Sequence, residues 1–128
     1  MSASSYANVQ SRIETPRETE LRAFRYVNGL LAAASDGPTR ATALHKTHRL
    51  WSILLGDLAG NDNKLPVELR ANLVSLGLWA QREALARLSD DRTIEPLIAL
   101  HRDMIEALEA QRAAPPPPGP PRLGAVSA

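Results

Sequence analysis

Four prolines, Pro16, Pro38, Pro66 and Pro96, each stand near the head of a stretch whose apolar residues return every three or four positions. Proline suits the first turn of a helix, where its missing amide hydrogen has no partner to lose, and breaks a helix further in. A chain punctuated this way is confined to a few helices of moderate length. No segment shows the sustained period-two alternation of a half-buried strand.

The first pattern opens on "TPRE". Thr15 is placed to cap, Pro16 takes the first helical position, and Glu18 stands three residues after the cap, as a capping box requires. Leu21, Phe24, Val27, Leu31 and Ala34 then form one face, and "SDGPT" (35–39) ends it. A second helix is expected from about Thr39 to Leu58, along Leu44, His48, Trp51, Leu55 and Leu58, with Leu50, Ile53 and Leu54 widening the stripe. "GNDNK" (60–64) breaks it.

The third helix begins at Leu65-Pro66 and is apolar on two sides. Leu69, Leu73, Leu76 and Ala80 make one face, Val67, Val74, Leu78, Leu85 and Leu88 another, with Trp79 between. Such a helix is either central to its domain or meets a partner. After "SDDRT" the last helix carries Ile94, Leu97, Ile98, His101, Met104 or Ile105, and Leu108.

Short breaks between helices favour antiparallel neighbours. The expectation is an all-α fold, a compact antiparallel bundle of four main helices. Tyr6 and Val9 suggest a short N-terminal helical arm. Residues 113–128, with "PPPPGPP" and almost no large apolar side chains, read as a disordered, polyproline-like tail behind a helical domain at 1–112.

Several function classes fall away. The chain has no cysteine, so thiolate chemistry and sulfur-bound zinc are excluded. A formal charge of +1 gives no long-range field to steer nucleic acid or anionic lipid. No apolar run approaches the ~20 residues of a membrane span. The start, "MSASSYANVQSR", lacks the apolar middle of a secretory signal. A soluble, cytoplasmic protein is expected.

"HKTHRLWSIL" (45–54) places two histidines three residues apart, which raises the question of a metal site. His48 falls on the apolar stripe, while His45 points about 60° away from it. No glutamate is followed three residues later by histidine, and no H-E-x-x-H occurs. His101 is the one further histidine. Asp103, Glu106 and Glu109 lie near Arg102 and Arg112 and read as a solvated mixed-charge face. No catalytic residues, metal or cofactor are expected, and the chain is not expected to be an enzyme.

Arg40, Lys46 and Arg49 could touch phosphate, but the stretch lacks interleaved aromatics, so nucleic-acid binding is not the expectation. Protein recognition is left. Trp51 and Trp79, each preceded by leucine, are the candidate anchors of a groove for an amphipathic helix.

Five blocks in order carry a family resemblance: "YANVQ" (6–10), "TPRETELRAF" (15–24), "HRLWSIL" (48–54), "LPVELRANLVSLGLW" (65–79) and "IEPLIALHRDMIEAL" (94–108). Together they resemble the FlaF family of flagellar biosynthesis regulators over roughly residues 6–108. The chain departs from that pattern at Thr47-His48, where Asn followed by a basic residue is common, and at His101, where Asn is common.

The resemblance implies a non-enzymatic role supporting flagellin synthesis and export, alongside the flagellin translation regulator FlbT. The implied partner is flagellin, through its terminal helices. Candidate contacts are Trp51, Leu76 and Trp79, with Arg17, Glu18 and Glu20 as polar surface in the family block. An RNA-binding regulator of flagellin expression and a self-associating helical adaptor are the alternatives.

Overall fold

A computed structural model describes residues 16–60 and 62–113, without the side chains of 112 and 113. The expected N-terminal arm, the Thr15 cap and the stretch from 114 onward lie outside the described residues. Within them the chain forms four helices: α1 (Pro16–Ala33), α2 (Gly37–Ala59), α3 (Val67–Arg87) and α4 (Glu95–Ala113). No strand occurs among the described residues. The fold class is therefore all-α, as the periodicity predicts, and α4 runs one residue past the expected boundary at 112.

α2 starts two residues ahead of the expected Thr39. The Asp36 carboxylate accepts from the Thr39 amide at 2.8 Å, and the Thr39 hydroxyl accepts from the Asp36 amide at 3.1 Å. This reciprocal cap leaves Pro38 in the first turn, where it is tolerated. The α2–α3 break is held by Asn63. Its side chain donates to the Asp57 carbonyl and accepts from the Leu65 amide. α3 begins after Pro66 without a side-chain cap. At its other end Arg40 of α2 donates to the carbonyls of Arg87, Asp90 and Arg92, tying the α3–α4 loop to the start of α2.

The core is built from Leu21, Phe24, Val27 and Leu31 of α1, Leu44, Leu50 and Trp51 of α2, and Leu97, Ile98 and Leu108 of α4. α1 packs on both α2 and α4. α3 packs on α2 and meets α4 only sparsely. The two-faced α3 is thus not the central helix; its second apolar side has another explanation.

α3 buries small residues. Its buried positions are Gly77, Ala80, Ala84 and Arg87, and a methyl added at Gly77 would lie 2.9 Å from both Leu55 Cδ2 and the Trp51 ring. This seam brings the helix close to α2 and leaves its large side chains to either side.

Among the described residues two polar side chains, Thr47 and His101, sit fully inside. Thr47 donates its hydroxyl to the Ala43 carbonyl one turn back, at 2.8 Å, and so enters the core without an unsatisfied group. His48, which the stripe places inside, is only half-buried.

Candidate functional site

Of the eight large apolar side chains exposed among the described residues, six lie between 65 and 85: Leu65, Val67, Leu69, Leu76, Leu78 and Leu85. Five of these belong to α3, so the uncovered apolar area is concentrated on one helix. At about 100° per residue, Leu69, Leu73 and Leu76 share one flank of the Gly77–Ala80–Ala84 seam. Val67, Val74, Leu78 and Leu85 share the other. Leu73 lines a pocket with Met104 of α4 and with Trp51, Leu54 and Leu58 of α2. Trp79 is half-buried and packs against the core.

That pocket, about 80 Å³, lies at the end of the molecule where α1 begins. Its floor is Phe24 and Trp51, and its walls are Leu54, Leu58, Leu65, Leu73 and Met104. Glu20, Asp57 and Asn63 are its polar members. The Glu20 carboxyl is held above the usual carboxylate range, first by burial and then by the negative charge of Asp57; Arg17 opposes both. An apolar interior with acid at its edge is suited to an aliphatic side chain accompanied by a cation.

The sequence-derived contact residues separate. Leu76 is 39% exposed on α3. Trp51 is fully buried in the core, so its indole is not on the surface in this conformation. The reason is tertiary. Trp51 lies against Gly77, where α2 and α3 approach too closely for an added methyl, whereas Trp79 is partly buried against the core. Arg17 and Glu18 are exposed, and Glu20 is half-buried at the pocket.

Periodicity did not single out Asp57 or Met104 as pocket residues. Asp57 is the acidic residue nearest the end of α2, and nothing in the local pattern links it to Glu20.

The histidines resolve differently from one another. His45 is exposed. His101 is fully buried, and its Nε2 accepts a hydrogen bond from Trp51 Nε1 at 3.0 Å. The accepting nitrogen carries no proton, so the neutral ring bears its hydrogen on Nδ1, which is buried without a hydrogen-bond partner. Phe24 meets both rings edge-on, with centroids 5.5 Å from Trp51 and 5.4 Å from His101. Burial lowers the His101 pKa to about 4.

Among the described residues no three His, Cys, Asp or Glu side chains gather as a metal would require. The basic stretch of α2 is also divided. Arg40 is engaged by loop carbonyls, and the Lys46 ammonium lies 5.8 Å from the centre of the Tyr26 ring. No helix of the described residues is long and apolar enough to cross a membrane.

Fold and surface together define a small all-α protein whose distinguishing feature is an uncovered apolar helix. The chain belongs to the FlaF family: the family model described as flagellar protein FlaF matches residues 2–108, which places the chain in flagellar biogenesis. No curated protein and no solved structure gives a match.

Proposed function

We propose that this FlaF-family chain is a cytoplasmic, non-enzymatic flagellin-binding chaperone or regulator. In this reading it covers an amphipathic terminal helix of flagellin before assembly and so supports flagellin synthesis and export, alongside FlbT. A long amphipathic helix cannot bury its apolar face on its own, and an exposed apolar surface on a second helix offers the complement. The observation that carries the reading is the gathering of Leu65, Val67, Leu69, Leu76, Leu78 and Leu85 on and beside α3.

A compact antiparallel bundle is part of the proposal. It is supported by pairs that run in opposite directions along the chain: Ser52 with Gln81 and Arg40 with Arg87 between α2 and α3, and Arg25 with Glu109 and Leu31 beside Ile98 between α1 and α4. Such a scaffold would hold α3 rigidly by one face and leave the remainder free to a partner.

Pull-down with full-length flagellin, compared with flagellin lacking its terminal helices, tests the reading. Retention of the full-length protein alone is expected. Equal retention of both would exclude capture through those helices. A steep fall of binding with salt would favour phosphate contacts and the RNA-regulator alternative. Sedimentation of the isolated chain as a dimer that Leu69→Asp/Leu76→Asp abolishes would assign that flank of α3 to a second copy instead.

A further inference from the structure

Of the two apolar flanks of α3, the one that carries Val67 repeats at coiled-coil spacing. Val67, Ala71, Val74, Leu78, Gln81 and Leu85 follow one another at alternating steps of four and three residues, the seam along which two helices pack. Much of this seam is uncovered. Val67 is 70% exposed, Leu78 47% and Leu85 49%. Ala71 is exposed as well, and Val74 and Gln81 are half-buried. The stretch is also self-complementary about its middle. Val67 and Leu85 stand equally far from Leu76, as do Val74 and Leu78. Glu68 and Arg82 are exposed, carry opposite charges and stand equally far from Ser75. Neither makes an ion pair among the described residues.

We propose that this flank is the interface of a homodimer, covered by the α3 of a second copy running antiparallel. In that register Val67 meets Leu85 of the second copy, Val74 meets Leu78, and Glu68 faces Arg82. Each contact occurs twice about a two-fold axis beside Ser75, as an isologous interface requires. Charge selects the direction, because a parallel pair would set Glu68 level with Glu68 and Arg82 level with Arg82. Ala71 and Ser75 keep the middle of the contact free of bulk. The seam from Val67 to Leu85 is about 27 Å long. With one helix from each copy it stands at the small end of specific interfaces, so the dimer is weak and concentration-dependent. The flank of Leu69 and Leu76 stays open on each copy. The self-association does not rest on the flagellin-binding reading; with that reading, the dimer offers two flagellin sites.

Sedimentation equilibrium of the full-length chain over a concentration series tests this. The natural chain should pass from monomer to dimer as concentration rises. Glu68→Arg alone and Arg82→Glu alone should each dimerise about tenfold more weakly, since two exposed attractions become repulsions. An equimolar mixture of the two variants should recover the natural affinity, because every charge at the seam again meets its opposite. A natural chain that stays monomeric throughout would overturn the dimer. A mixture that associates no more tightly than its components would overturn the antiparallel register.

The two flanks are separated by a second pair of variants. Leu78→Asp should sediment as a monomer and still bind flagellin, whereas Leu69→Asp/Leu76→Asp should dimerise as the natural chain does. Loss of the dimer in the second variant, or of flagellin binding in the first, would overturn the division of α3 into two interfaces. If no chain binds flagellin, the partner reading fails while the sedimentation result stands.

Discussion

At the scale of single residues, Thr47 and His101 are the two polar side chains fully buried among the described residues. Each is accommodated by a specific hydrogen bond, Thr47 through the carbonyl one turn back and His101 through the Trp51 indole. The His101 bond carries a pH consequence. The folded-state pKa of about 4 lies below the ordinary histidine value of 6.5. As pH falls from 6.5 toward 4 the unfolded chain takes up a proton that the folded chain refuses, so stability declines across that window and levels off below it. The loss is on the order of 3 kcal/mol. Urea midpoints at pH 7 and pH 4.5 should differ for the natural chain and differ much less for His101→Asn, which keeps an acceptor for the indole. An undiminished difference in His101→Asn would contradict the assignment. His101→Leu leaves the indole N–H buried without an acceptor and should cost about 1–3 kcal/mol at neutral pH by the same measurement.

At the scale of the helices, the starts were legible because proline and capping residues act locally. Asp36, Thr39 and Pro38 fix the beginning of α2 whatever lies around them. The burial of α1 was equally legible, since Leu21, Phe24, Val27 and Leu31 make one narrow stripe and all four are inside. α3 was not. When apolar residues surround most of a helix, periodicity does not say which side is buried, and here the close approach at Gly77 decides. The same contact separates Trp51 from Trp79, whose immediate sequence signals are alike. Gly77→Ala should therefore lower stability by roughly 1–3 kcal/mol, because the methyl meets the Trp51 ring. Gly56→Ala, with open space around its added methyl, should raise stability by about 0.5–1 kcal/mol through helix propensity alone. Equal effects in chemical denaturation would show that the α2–α3 seam is looser than described.

At the scale of the whole molecule, α1, α2 and α4 share the large core side chains, while α3 is held mainly through small residues on α2. The large side chains of α3 are consequently left largely exposed, and the proposed function rests on a partner covering them. The all-α class and the family could be read from ordered motifs. The pocket could not, because Glu20 and Asp57 meet only once α1 and α2 have packed. Calorimetric titration of full-length flagellin into the natural chain, a Leu69→Asp/Leu76→Asp variant and an Ile53→Asp control measures the use of this surface directly. The double variant should bind at least tenfold more weakly with an unchanged melting temperature, and the control should bind as the natural chain does. Undiminished affinity in the folded double variant would contradict the account.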